Sequence, residues 1–199
     1  MAEYHLAVVP VGRVDVEELK AAVARAAKVL HQPLEVREAL PVPRGAEDTE
    51  RGQHRAADVI KRLGTEVRKL KPGVLVGGED PDQKPPFQVD GFLFVTDVDL
   101  YTANTDGVLG ALISKLNCAL VSVRRQREAF YRRKANPVKQ RARLVKELLR
   151  MGGRLRGMKE CGDPECVLAA SRSVHDLDTK EERYCRGCEM KLFEGKLRI

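Results

Sequence analysis

Apolar and polar residues follow two rhythms along this chain. From Tyr4 to Val11, Leu6, Val8, Val9 and Val11 supply β-forming side chains, and the spacing predicts a first strand. Val14 to Leu30 switches to a helical period through Val16, Leu19, Ala22, Val23, Ala26, Val29 and Leu30. Pro33 to Leu40 reads as a short second strand closed by Pro41 and Pro43. A helix is predicted from about Gln53 to Leu70, with Ala56, Ile60, Leu63, Val67 and Leu70 on one face and Pro72-Gly73 as its stop.

Gly77 to Pro86 carries Gly-Gly, Asp-Pro and Pro-Pro dipeptides and reads as a loop. Phe92 to Val98 is nearly all apolar, as in a central strand covered on both faces. Val108–Ile113 and Cys118–Val123 are further strands. Pro137 opens a helix at its tolerated first-turn position, and this helix runs to about Leu155 before Gly157. The order βαβαβββα predicts an α/β (α+β) fold, a mixed sheet packed against helices. The segment from Cys161 onward is too short and polar for a core of its own and needs a staple.

Composition narrows the class. The hydrophobic fraction of 43% suits a globular domain, and no apolar run approaches the ~20 residues of a membrane span. Met1-Ala2-Glu3-Tyr4-His5 has no basic region leading into an apolar one, so the expected location is cytoplasmic. Charged residues make up 33% of the chain, and the amide-bearing Asn is confined to Asn104, Asn117 and Asn136, a composition of heat-adapted proteins. The net charge of +7 is concentrated. Between Arg124 and Lys159 fourteen Lys or Arg face only Glu128 and Glu147. Such a surplus can attract nucleic acid or an acidic partner. The plainer reading, a solvated helical face, is favoured because Phe130 and Tyr131 are the only aromatics in the run.

Four of the five cysteines sit close together. Cys161 and Cys166 are separated by Gly-Asp-Pro-Glu, Cys185 and Cys188 by Arg-Gly, and 18 residues connect the pairs. Close pairs joined by a spacer let four thiolates reach one ion, the pattern of a structural zinc site. Cys118, alone in Leu116-Asn117-Cys118-Ala119-Leu120, is expected to be a buried core residue.

With that pattern the chain resembles the archaemetzincins, zinc metallopeptidases of the metzincin clan. Their signature is similar to H-E-x-x-H-x-x-G-x-x-H-C-x4-C-M-x17-C-x2-C. The cysteine half matches without a gap. Val8-Val9-Pro10-Val11-Gly12, Arg51-Gly52-Gln53, Thr96-Asp97-Val98-Asp99-Leu100-Tyr101, Val145-Lys146-Glu147, and then Ser171, Ser173, Asp176 and Asp178 also look family-like. The resemblance implies a metzincin-like twisted mixed sheet in residues 1–156, with an active-site-type helix at about 137–155. A small zinc-stapled subdomain would follow in 157–199.

The catalytic half departs from the signature. Counted back from Cys161, the three histidine positions hold Arg150, Arg154 and Glu160, the general base position holds Met151, and the Met position after the second cysteine holds Val167. Only Gly157 matches. A guanidinium has no lone pair to offer a metal, and Met151 cannot act as a base toward a metal-bound water. His5, His31, His54 and His175 all lie far from the motif in sequence, and the shifted register Lys146-Glu147-Leu148-Leu149-Arg150 keeps a Glu but no histidine.

The expectation is therefore one structural zinc on Cys161, Cys166, Cys185 and Cys188, no catalytic zinc, and a cleft held either by an Arg150–Glu160–Arg154 ion network or by ordinary exposed charges. The first functional reading is an inactive metallopeptidase relative that can still bind an extended peptide at a sheet edge. The second is a basic nucleic-acid or acidic-partner binder. The third is an active metallopeptidase that recruits histidines from elsewhere.

Overall fold

The structure, a computed structural model, describes residues 4–77 and 88–193. The first half runs β1 (Leu6–Val11), α1 (Val16–Leu30), β2 (Leu34–Val36), β3 (Glu47–Asp48), β4 (Gln53–Arg55), α2 (Ala56–Glu66) and β5 (Val74–Val76). Then come β6 (Gly91–Thr96), β7 (Leu100–Tyr101), β8 (Gly110–Ile113), β9 (Cys118–Ser122), α3 (Pro137–Leu155), α4 (Val174–Thr179) and α5 (Arg186–Phe193).

Six strands form one sheet in the order β5-β2-β1-β6-β9-β8. The inner four are parallel, and both edge strands, β5 and β8, run antiparallel to their neighbours. The continuous apolar runs of β1, β6 and β9 follow from burial on both faces. Alternation sends Leu6, Val8, Leu93, Val95, Ala119 and Val121 to one side, where α1 and α3 cover them. Ala7, Val9, Phe92, Phe94, Cys118 and Leu120 point to the other side, against α2. Cys118 is fully buried, as its apolar surroundings implied, and burial raises its thiol to about 11.

Pro10 stands in a central strand, where a missing N–H would normally break the ladder. Its carbonyl accepts from Leu40 N on the β2 side, so its nitrogen faces a flank where β2 has already ended at Val36. Gly91 opens β6 because a Cβ there would lie 2.8 Å from Tyr4 Oη.

Several predicted boundaries move. Gln53–Arg55 is strand, not the start of a helix: it pairs with β3 and β7 in a second small sheet, and α2 begins only at Ala56. That helix ends at Glu66 and tightens into a 3-10 turn at Val67–Lys69. The second strand stops at Val36, with Leu40 touching Val11 through a single bridge. Strand β6 ends at Thr96, where Asp97 and Val98 bend away. Strand β5, just after Pro72-Gly73, was not anticipated, and 78–86 of the predicted loop lie outside the described residues.

The C-terminal segment contains two helices and packs its apolar residues into the main core. Met158, Cys166, Val167, Leu168, Tyr184, Cys188 and Leu192 share one buried cluster with Leu19 and Leu148. No helix among the described residues is long and apolar enough to cross a membrane.

Candidate metal centre and the ion network beside it

Helix α3 ends where Gly157 takes a left-handed conformation (φ 83°), and Met158 N reaches back to Gly153 O. This reversal brings Cys161 under the end of the helix, where Cys161 N donates to Leu168 O. Asp163 turns the chain between the first two cysteines, accepting from Cys166 N with its carbonyl and from Glu165 N with its side chain. The second pair sits at the start of α5.

The four sulfurs lie within 4.8 Å of one another, with Cys161 Sγ and Cys185 Sγ 3.8 Å apart. A tetrahedron of thiolates at ~2.3 Å from a zinc ion has sulfurs about 3.8 Å apart, so the donor set fits that ion. All four cysteines are free thiols. Cys185 N donates to Cys166 Sγ at 3.3 Å, and the Cys188 backbone N–H lowers the Cys185 thiol, so backbone dipoles favour thiolate. Burial raises the thiols of Cys166 and Cys188, a cost that a bound cation reverses. Among the described residues this is the one cluster of metal-capable side chains, and no histidine joins it.

The helix above holds a different kind of cluster. Every residue of α3 from Arg143 to Gly153 is buried, because the sheet, α1 and the C-terminal segment enclose it. Its charges are therefore not the solvated face that the sequence suggests. Arg143 donates two bonds to Asp178 and one to Gln126 O and also pairs with Glu128, while Lys146 donates to Leu177 O.

Arg150, at the first histidine position, lies inside this enclosure. Its Nε and one terminal nitrogen bond both oxygens of Glu147 at 2.9 Å, and its other terminal nitrogen is 3.8 Å from Glu160 Oε1. Glu160 is half exposed and, among the described residues, forms its one ion pair with Arg150. Arg154 makes no ion pair among the described residues, so the expected three-membered network is instead Glu147–Arg150–Glu160. Met151 packs against β8, where a Cβ on Gly110 would lie 2.6 Å from its methyl carbon. Val167, at the Met position, is fully buried beneath.

Glu147 was not foreseen as the centre of this network. It is fully buried. Burial alone would raise its pKa, but Arg150, Ser171 and Lys180 outweigh that and hold it below the usual carboxylate range. Lys180, 3% exposed, donates to Ser171 Oγ at 2.5 Å and to the carbonyls of Ala169 and Val167. Burial pushes its ammonium down to about 8.

The other family-like residues also have structural partners. Ser173 and Asp176 form the capping box of α4, and Asp178 holds Arg143 and Lys139. Asp99 takes a two-pronged contact from Arg125 (2.5 and 2.9 Å) and a bond from Gln53 at 2.8 Å, which lower its carboxyl pKa against the effect of burial. Asp97 accepts from Arg13 N at 3.2 Å. The segments around Arg51 and Asp99 are thus tied together at one end of the sheet.

Strand β8 pairs only with β9 among the described strands, which leaves its outer edge open. A cavity of about 210 Å³ lies beside it, lined by Ala56, Ile60, Ala103, Ala111 and Ile113 among others.

Compared with known proteins, the chain matches peptidase family M54 over residues 60–194. It is 40% identical over 101 residues to an archaemetzincin of Thermococcus kodakarensis, covering 51% of this chain and 54% of that protein. An archaemetzincin of Saccharolobus islandicus is 34% identical over 109 residues, covering 55% and 58%. The chain thus spans about half the length of the curated relatives it matches. In three dimensions it is similar to a zinc-dependent peptidase from Methanocorpusculum labreanum, with a TM-score of 0.79 and 25% identity over 94% of this chain and 99% of that one. The archaemetzincin of Methanopyrus kandleri shares the fold, with a TM-score of 0.71 and 23% identity over 98% and 97%.

Proposed function

This chain belongs to peptidase family M54, and from that membership we propose that it keeps the family's fold and a cysteine-bound structural zinc but no longer hydrolyses peptides. One observation carries the proposal. The side chain at the first histidine position, Arg150, is buried and bound through two nitrogens to Glu147. A guanidinium in that place offers no lone pair and brings a permanent positive charge where the signature has a metal ligand.

The residues of the motif do not fit a catalytic zinc. Arg150, Met151, Arg154 and Glu160 together supply one carboxylate, whereas catalytic zinc sites use three protein ligands and an open position. The cysteine set does fit a zinc ion, and its work is structural: it holds the segment from residue 157 to 193 on the domain. Reduced thiolates for that ion suit a cytoplasmic location.

In this reading the function that remains is peptide binding. The open edge of β8 can pair with an extended chain through main-chain hydrogen bonds, which need no metal. The nearby cavity offers room for an apolar side chain of such a peptide.

Metal content measured together with peptide hydrolysis tests the proposal. The expected result is one zinc per chain and no chelator-sensitive cleavage of a mixed peptide library. Two zinc ions per chain, with cleavage abolished by chelation and restored by zinc, would make this an active peptidase and overturn the reading.

A further inference from the structure

The structure divides the long basic stretch into two parts with different fates. In α3 most of the cations are enclosed or paired: Arg143, Lys146 and Arg150 are buried, and Arg141 binds Glu18, which leaves Arg154 without an ion pair among the described residues. The Arg124–Asn136 loop before the helix holds six cations against Glu128 alone. Glu128 is itself buried and engaged by Arg143 at 2.6 Å and Arg133 at 2.9 Å. Arg124, Arg127, Arg132 and Lys134 form no ion pair among the described residues.

The two aromatics of the stretch are on this same loop, and both are exposed, Phe130 at 39% and Tyr131 at 38%. Their rings stand edge to face at 5.1 Å, with the guanidinium of Arg125 over Phe130 and that of Arg133 over Tyr131. The next residue, Arg132, adopts a left-handed backbone (φ 57°), held by Arg132 N to Ala129 O and Arg133 N to Glu128 O. A non-glycine residue is strained there.

We propose that this loop is a binding surface for single-stranded nucleic acid, with Phe130 and Tyr131 as stacking platforms and Arg124, Arg127, Arg132 and Lys134 as phosphate contacts. Exposed rings ringed by cations suit unpaired bases on a charged backbone. A duplex keeps its bases stacked away from such rings, and an acidic polypeptide would use the cations but have no need of the rings. The loop is anchored from below by the buried Arg143–Glu128 pair, so the platform is preorganised.

The test is fluorescence anisotropy of the zinc-loaded full chain with a labelled oligothymidylate, titrated across salt. Four phosphate contacts predict a slope of log affinity against log salt of about −3, or an affinity loss of about 50-fold between 50 and 200 mM salt. Arg132→Gly, which relieves the backbone and so preserves the fold, is expected to weaken binding and bring the slope to about −2. Phe130→Leu and Tyr131→Leu are each expected to weaken binding at least about fivefold with the slope unchanged. Lys61→Ala, on α2 across the sheet, is expected to change nothing.

Absence of binding at low salt would overturn the proposal. So would displacement of the oligonucleotide by polyglutamate with no effect of the ring substitutions, which would make the loop a surface for acidic proteins. Equal binding of a duplex of the same length would also count against it.

Discussion

Removing the Arg150 guanidinium gives the sharpest test of how the altered motif holds the domain together. In Arg150→Met, Glu147 stays fully buried but loses both charge-assisted bonds. Breaking one side of a buried pair costs about 3–5 kcal/mol, because a charge is left without compensation. Lys180 and Ser171 still face Glu147, so the lower end, about 3 kcal/mol, is expected. For a chain of this size that lowers the melting temperature by roughly 6–12 °C. Replacing both partners, Arg150→Met with Glu147→Met, is expected to return stability to within about 1 kcal/mol of the parent, since the desolvation cost goes with the charges.

The pH dependence separates this mechanism from a simple packing loss. In the parent the folded-state pKa of Glu147 is lowered, so the pair is fully ionised from pH 6 to 8 and this residue adds no slope there. In Arg150→Met, burial without Arg150 raises that pKa above the unfolded value of ~4.3. The folded state then binds more protons, so the variant loses stability as pH rises and its deficit is larger at pH 8 than at pH 6. Urea unfolding of zinc-loaded protein followed by circular dichroism reads both quantities. A deficit under about 1 kcal/mol, or one independent of pH, would refute the reasoning, because that is how an exposed pair behaves.

Chelation is expected to loosen far more than the cysteine loops, because Cys166 and Cys188 belong to the main buried cluster; protease sensitivity of the whole chain and zinc content of Cys185→Ser report this. Gly153→Ala is expected to be less stable than Gly152→Ala by at least about 1 kcal/mol in thermal melts. A Cβ at Gly153 meets Leu168 at 3.0 Å with Met158 and Tyr184 close behind, whereas at Gly152 its nearest contact is one Leu6 methyl at 3.3 Å. Asp99→Asn is expected to cost about 2 kcal/mol at neutral pH by weakening the grip on Arg125. Because the Asp99 carboxyl has a lowered folded pKa, that difference is present above the unfolded value of ~3.9 and narrows as pH falls below it.

The parts legible from the sequence are those long enough to show a period. Strand β1, helix α1, strands β6 and β9 and helix α3 all announce themselves through runs of Leu, Val and Ala at fixed spacing. The two-residue strands β3 and β7 have no period to read, and Val74-Leu75-Val76 is too short to stand out after Pro72-Gly73. Gln53–Arg55 reads as helix because it leads without a break into a helical pattern, yet its backbone is claimed by Asp99 and β3.

The four cysteines were visible from spacing alone, since ligand spacing is local. Glu147 stands out in the sequence only as a family-like residue and not as the partner of Arg150, because the motif directs attention to positions four apart, Arg150 and Arg154, whereas the pair that forms is three apart, on the other side of Arg150. Lys180 carries no signal in sequence. It is an isolated cation in a polar stretch, and only the fold shows that three oxygens surround it.

The order of strands in the sheet also bears on how the chain is made. Leu6 is synthesised 85 positions before its partner Gly91, and the helix that covers the face of their strands ends only at Leu155. Until β6 emerges β1 has only three-residue β2 to pair with, and until α3 is complete one face of both strands lacks that cover. Contacts this far apart make folding slow, in the millisecond-to-second range. The growing chain therefore passes through a stage in which β1, buried along its whole length in the finished fold, is an unprotected edge. Fragments that stop short of α3 are expected to aggregate.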